Sequence, residues 1–167
     1  MSTTTTKKAG GAAAVAAGIA LAASIAAPQE GYMAYAYRDP VGVLTYCYGE
    51  TQGAKDAVGR KFSEAECRAL LERRMGHYEQ GNAKCVPTYE SLDVYVQAAF
   101  NDFSYNLGNG TFCTSSIGTL LRAGRVRDAC YRITQFDKAR VHGVLKPLPG
   151  LTKRRALEQM YCLKGSH

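Results

Sequence analysis

The sequence predicts an α+β protein: a small β-hairpin lobe near the N-terminus, a larger helical lobe after it, and an Ala/Gly-rich helix ahead of both. Three observations carry this. β-formers and turn residues cluster between Tyr37 and Glu50, helical apolar spacing dominates after Gly59, and the residues from Ala9 to Ala27 carry no charge. The chain of 167 residues leaves room for one globular domain beyond a leader of about thirty residues.

The leader comes first. Ala9–Ala27 is close to the roughly 20 residues a membrane helix needs. Lys7 and Lys8 precede it and no positive charge follows until Arg38, which places the N-terminus in the cytoplasm and the body outside. The run is mostly Ala, Gly and Ser, with Val15, Ile19, Leu21 and Ile25 as its large aliphatics. Each buried CH₂ contributes about 0.8 kcal/mol, so such a span holds a bilayer weakly and is able to leave it. A cleaved signal peptide is the rival reading, with the small residues of Ser24-Ile25-Ala26 at the cut. Cleavage there would leave Glu30 close to the new N-terminus, without a rigid element behind it.

In the body, Arg38-Asp39-Pro40 and Gly42 are turn signals and Val43–Tyr48 is rich in β-formers, so Tyr37 to Glu50 reads as a hairpin region. Ser63 reads as an N-cap, with Glu64 and Glu66 in the first turn of a helix through Cys67, Leu70, Leu71 and Met75. Pro87 opens a segment that puts Leu92, Val96, Ala99, Phe100 and Phe103 on one helical stripe, broken by Leu107-Gly108-Asn109-Gly110. Short helices are predicted around Ser116–Ala123 and Val126–Ile133, a loop at Pro147-Leu148-Pro149-Gly150, and a final helix from Thr152 to Leu163. The sequence contains no internal repeat, P-loop, Rossmann fingerprint or nucleophile elbow.

The formal charge is +7, and every acid lies at Glu30 or beyond. A mild basic excess suits an anionic polymer, whether nucleic acid, membrane surface or cell wall, and does not choose among them. The six cysteines are Cys47, Cys67, Cys85, Cys113, Cys130 and Cys162. None forms a C-x-x-C pair and no Cys/His spacing suits zinc, so neither metal nor cofactor is expected. An even number in a body behind a membrane segment reads as three disulfides in an oxidising compartment, with six buried cytosolic thiols as the alternative.

The chemistry rests on paired carboxylates. Cleaving a glycosidic bond needs one group to protonate the leaving oxygen and another to direct water or act as nucleophile. Glu30 and Asp39 are the candidates, and the Thr45 hydroxyl could hold a water. Taken singly, Glu30 reads equally as a helix acid, Asp39 as a turn residue before Pro40, and Thr45 as an ordinary strand residue.

Taken together, the spacing Glu-x8-Asp-x5-Thr resembles the catalytic triad of the phage lysozymes, glycoside hydrolase family 24. Tyr37-Arg38-Asp39-Pro40 and Leu44-Thr45-Tyr46-Cys47-Tyr48-Gly49 resemble the hairpin of that family. Phe103-Ser104-Tyr105-Asn106-Leu107-Gly108 looks like its central-helix end. Gly150-Leu151-Thr152-Lys153-Arg154-Arg155 with Glu158 is similar to its C-terminal motif. The leader resembles that of the signal-arrest-release endolysins, which are exported while tethered to the inner membrane and later released.

The resemblance implies a lysozyme-like fold, with residues 1–29 as the weak transmembrane segment and 30–167 as the catalytic domain. It implies Glu30 as general acid, Asp39 as the carboxylate on the opposite face, Thr45 as positioner of water, and Tyr105 and Ser115 as cleft residues. The implied substrate is peptidoglycan, cut at the β-1,4 bond between N-acetylmuramic acid and N-acetylglucosamine. The implied locations are the periplasmic face of the host inner membrane, through residues 9–27, and then the periplasm. A monomer with no nucleic-acid partner is expected. By position along the family fold, Cys47 should meet Cys67, Cys113 should meet Cys130, and Cys85 is left for Cys162. Residues 1–46 contain no cysteine, so a thiol switch in the leader is unavailable and control must come from position.

One departure stands out. The family often has His after the hairpin glycine, whereas Gly49 here precedes Glu50, which adds a carboxylate and removes an expected ion-pair partner. The chain also lacks Trp, so sugar stacking would fall to Tyr. A lytic transglycosylase, a non-catalytic wall-binding module and a cationic membrane-disrupting protein are the competing readings. Product mass, a lysis assay and the effect of Glu30→Gln separate them.

Overall fold

The computed structural model describes residues 4–167, with side chains from Gly11 onward. It opens with one long helix, α1 (Thr4–Glu30), continuous through the apolar leader. At about 1.5 Å per residue it spans roughly 40 Å. Its packed stretch begins at Gly18 and continues through Ala22, Ala23, Ile25 and Ala26, all buried, while Ala12, Ala13, Ala16 and Ala17 face solvent. Small residues are required on the packed face. A Cβ on Gly18 would stand 3.1 Å from the Gln97 Cβ, so bare backbone sets the approach. Arg68 further fastens α1 by donating to the Ala20 carbonyl at 3.0 Å and the Ser24 hydroxyl at 2.5 Å. Pro28 falls in the last turn, and Gly31 at φ +76 ends the helix immediately after Glu30.

The hairpin follows as β1 (Met33–Arg38) and β2 (Leu44–Cys47), antiparallel, with Tyr37 opposite Thr45 and Arg38 opposite Leu44. It starts at Met33, before the predicted Tyr37, because Met33-Ala34-Tyr35-Ala36-Tyr37 alternates large and small residues along a pleated strand. Asp39 makes the turn: its Oδ1 accepts from the backbone N–H of Val41 at 3.0 Å and of Val43 at 2.8 Å.

Helix α2 (Glu64–Cys85) begins at Ser63 as the sequence indicates. The Glu66 N–H donates to the Ser63 hydroxyl at 3.1 Å and the Ser63 N–H to the Glu66 carboxylate at 2.8 Å, a reciprocal cap. After a 3₁₀ turn (Tyr89–Ser91), α3 (Val94–Leu107) runs through the middle of the molecule, with Val96 to Ser104 all buried. Both α1 and α7 (Pro149–Gly165) pack against it. Gly108 at φ +88 breaks α3, but no loop follows: α4 (Asn109–Thr114) starts at once. Next come α5 (Ser116–Arg122) and α6 (Val126–Arg132), near the predicted bounds.

A second hairpin, β3 (Lys138–Val141) and β4 (Val144–Pro147), stands where the sequence reading had no strand. The predicted Pro147–Gly150 loop is therefore corrected, since Pro147 ends β4 and Pro149 opens α7. Proline suits a helix start, where its missing N–H costs nothing.

Three disulfides cross-link the described residues: Cys47–Cys67, Cys85–Cys113 and Cys130–Cys162, with Cα–Cα distances of 5.0, 5.8 and 5.5 Å. The first is the expected pair. The expected Cys113–Cys130 and Cys85–Cys162 pairs are not formed, because contact follows packing rather than succession along the chain. Asn109 of α4 lies against Gly81 of α2 and donates to the Tyr78 carbonyl at 2.8 Å, which brings Cys113 to the end of α2 at Cys85. Gln159 of α7 donates to the Cys130 carbonyl at 3.3 Å, so α6 meets α7 and Cys130 reaches Cys162.

Candidate active site

Because Gly31 ends α1 where it does, Glu30 projects from the C-terminal end of the long helix. A carboxylate there faces the negative end of the helix dipole and needs a counter-charge. Arg154 of α7 supplies it: Nη1 donates to Glu30 Oε1 at 2.7 Å. The same guanidinium grips Asp102 of α3 from the other side, Nη2 to Oδ1 at 2.6 Å and Nε to Oδ2 at 3.1 Å. Asp102 is fully buried and Arg154 is 6% exposed, so one guanidinium joins α1, α3 and α7.

Behind this clasp, Arg155 donates to Asn106 at 2.8 Å and pairs with Glu158 at 2.9 Å. Glu158 is entirely buried, and desolvation, with the Asp102 charge beside it, pushes its carboxyl well above the usual range despite Arg155. Burial also lowers Arg155. Arg154, held between two carboxylates, is raised instead.

The other carboxylate oxygen of Glu30 faces a cavity of about 270 Å³. Its walls are Gly49 and Glu50 at the exit of the first hairpin, Arg74 and Tyr78 of α2, and Tyr105 and Asn106 of α3. Gly49 has φ +76, and a Cβ there would sit 3.4 Å from Glu30 Oε2, so glycine both permits the turn and keeps the carboxyl open. The Tyr105 hydroxyl donates to the Tyr48 carbonyl at 3.0 Å and ties the hairpin exit to α3. Burial, reinforced by the Glu30 charge, raises its pKa, so it stays a neutral donor. A second hollow, of about 510 Å³, is lined by Gln29, Leu148, Gly150, Leu151, Lys153 and Arg154.

The sequence-predicted residues divide into two groups. Glu30 and Tyr105 share the cavity. Asp39 and Thr45 do not line it but sit on the hairpin whose exit walls it, Asp39 at the turn and Thr45 buried on β2 with its hydroxyl donating to the Val43 carbonyl at 3.1 Å. Ser115 is elsewhere, between α4 and α5, with its hydroxyl donating to the Phe112 carbonyl at 3.2 Å. Glu50 is buried. Oε1 accepts the Thr51 and Gln52 N–H groups at 2.8 Å each, and Oε2 lies 3.4 Å from Arg74. The hairpin therefore keeps an ion pair, with the acid on the hairpin and the base on α2.

Sequence reasoning quoted Arg154, Arg155 and Glu158 as a motif without assigning them work, and it missed Asp102 and Arg74. A signal existed. Asp102 is an acid between Phe100 and Phe103 on the predicted apolar helix, and Arg154 and Arg155 stand four and three residues before Glu158, the spacing of helical ion pairs.

A helix-end carboxyl held by an arginine at a cavity between a hairpin lobe and a helical lobe is the arrangement of a lysozyme-like glycoside hydrolase. The chain belongs to the phage lysozyme family, whose sequence profile matches residues 27–158. It is 34% identical over 139 residues to a SAR-endolysin of Bacteriophage PS119, covering 81% of this chain and 77% of that one. It is 32% identical over 152 residues to a SAR-endolysin of Pseudomonas phage phiKMV, covering 89% and 91%. Among solved structures it superposes on the muramidase domain of SpmX from Asticaccaulis excentricus with a TM-score of 0.73 at 26% identity, over 88% of this chain and 95% of that one.

Proposed function

We propose that the protein is a peptidoglycan muramidase, an endolysin that hydrolyses the β-1,4 bond between N-acetylmuramic acid and N-acetylglucosamine. Glu30 is the general acid, donating its proton to the leaving oxygen through the carboxylate oxygen that Arg154 leaves free. Asp39 serves the opposite face of the sugar and Thr45 positions water. Tyr105 holds the hairpin to α3 beside Glu30.

The observation that carries the reading is that α1 combines two properties. Residues Gly11–Glu30 are long and apolar enough to cross a membrane, yet the same helix is docked along α3 and ends in Glu30. While residues 9–27 lie in the host inner membrane, Glu30 is held at the bilayer surface, away from Arg154. Once they leave it, docking delivers Glu30 to the cavity. The protein is thus tethered on the periplasmic face and becomes active in the periplasm as a monomer. Residues 1–29 act as the release segment and 30–167 as the catalytic body, although one helix runs through the boundary in the docked state. Collapse of the membrane potential is a fitting trigger, since it removes one field acting on an oriented segment.

The test is mass analysis of muropeptides released by the wild type and by Glu30→Gln. Hydrolysed reducing ends are expected from the wild type and none from the variant. Products lighter by one water would mean a transglycosylase. Normal release by Glu30→Gln would refute the role of Glu30.

A further inference from the structure

Outside the Glu30 cavity, α2 presents a second concave surface. Arg74 and Tyr78, one helical turn apart, face Glu30. The adjacent row on the same helix, Arg73 and His77, lines a separate hollow of about 360 Å³ with Leu70 and the hairpin-side residues Tyr46, Glu50 and Gln52. Glu50 and Arg74 belong to the walls of both spaces, so the two are contiguous and the Glu50–Arg74 pair forms the ridge between them.

The charge in this hollow is not used by the fold. Helix α2 pairs its other arginines: Arg68 with Glu72 at 3.2 Å and Arg74 with Glu50 at 3.4 Å. Arg73 and His77 have no ion-pair partner among the described residues, and both are exposed. The one acid in the hollow, Glu50, is already occupied by two backbone N–H groups and Arg74. A guanidinium and an imidazole are thus presented one turn apart in a recess that opens beside the Glu30 cavity. A fork of N–H donors in such a recess suits a carboxylate.

We propose that this hollow is a carboxylate-binding subsite that takes the acidic peptide stem of the wall polymer while its glycan lies at Glu30. The proposal rests on the muramidase reading above. Arg73 is the principal contact and His77 the second. Wall glycan offers two sources of carboxylate, the stem peptide and the lactyl group uncovered when the stem is removed. The stem is favoured because the recess is a separate space beyond the Glu50–Arg74 ridge, which suits a branch leaving the glycan rather than a group on the ring.

The experiment compares kcat/KM for two soluble substrates: glycan strands with stems intact, and strands stripped of stems by an amidase. Arg73→Ala should lower the intact-to-stripped ratio about tenfold, the size of one charge-assisted hydrogen bond. His77→Ala should lower it less, and Arg73→Lys should restore part of it. Arg127→Ala, which removes the same charge from α6, should leave the ratio as in the wild type. An unchanged ratio in Arg73→Ala, or a loss of equal size on both substrates, overturns the proposal. If the wild type releases no reducing ends from either substrate, the muramidase reading fails instead. The subsite is then read without catalysis, by titrating the full chain with free stem tetrapeptide and following the His77 imidazole resonances. Shifts that vanish in Arg73→Ala support it, and their absence in the wild type overturns it.

Discussion

Replacing Arg154 by Leu removes the guanidinium that holds both Asp102 and Glu30. Asp102 is fully buried and loses both its bonds, of 2.6 and 3.1 Å, while Glu30 loses its 2.7 Å bond. Breaking a buried pair from one side costs about 3–5 kcal/mol, against roughly 5–15 kcal/mol of total stability for a typical domain. At about 2–4 °C per kcal/mol for a chain of this size, the melting temperature should fall by roughly 6–20 °C. The protein should still fold, so activity is measurable at 25 °C by turbidity of chloroform-treated Gram-negative cells. The double variant Arg154→Leu with Asp102→Asn separates the two jobs of the clasp. Removing both buried charges should recover most of the lost stability, but lysis should stay depressed by about 10²-fold or more because Glu30 remains unanchored. If the double variant melted as low as the single one, Asp102 would not be the stability partner. If the single variant lysed cells at the wild-type rate, Arg154 would not position Glu30.

Three further outcomes are expected. Peptide mapping without reduction should recover Cys47–Cys67, Cys85–Cys113 and Cys130–Cys162, and reductant should lower the melting temperature, since such bridges contribute about 2–4 kcal/mol each; a Cys113–Cys130 peptide would contradict the packing of α4 on α2. The Glu79 carboxyl, buried and bonded to Asn101 at 2.8 Å, is pushed up to about 7 by desolvation. The folded state therefore holds this proton more tightly than the unfolded chain, and the stability it contributes is present below about pH 4.5 and lost as pH rises through 7. Urea melts of Glu79→Gln should be less pH-dependent between pH 5 and 8 by about 1–3 kcal/mol, and an unchanged slope would rule out Glu79 as its source. Finally, Ala12 and Ala16 are exposed on docked α1, so Ala12→Leu with Ala16→Leu should strengthen membrane retention by roughly 2 kcal/mol per site without disturbing the fold. Cells should then carry exported, membrane-bound, non-lytic protein that is active once extracted, and lysis at the wild-type rate would count against control by release.

What was legible in the sequence was local. The Ser63–Glu66 cap and the Asp39 turn are decided within a few residues, so residue type alone revealed them. The leader's Ala/Gly composition marked it as a weak membrane span, but the face buried on the body, through Gly18, Ala22, Ala23, Ile25 and Ala26, is set by packing against α3. The second hairpin was not legible. Val144–Pro147 is exposed throughout, and Lys138–Val141 half-buries only Ala139 and Val141, an alternation too short to read as a strand. The cysteine partners depend on which helices touch, and succession along the chain misled. In the site, spacing and resemblance pointed to Glu30, whereas its electrostatic support lies 124 residues away in Arg154. No local pattern joins those two positions. The loss of an expected histidine at Glu50 was visible, but its compensation by Arg74 needed the packing of α2 on the hairpin.

That 124-residue reach has a consequence for synthesis. The clasp draws on chain positions 30, 102 and 154, and the last disulfide closes only at Cys162. A polypeptide emerging N-terminus first presents Glu30 ahead of its arginine by 124 residues. Any chain truncated before α7 lacks the counter-charge for Glu30, leaves Asp102 unpaired and strands Cys130 without its mate. Premature termination or proteolytic loss of α7 therefore yields a wall enzyme that is defused, and α7 acts as a check that synthesis has passed Cys162.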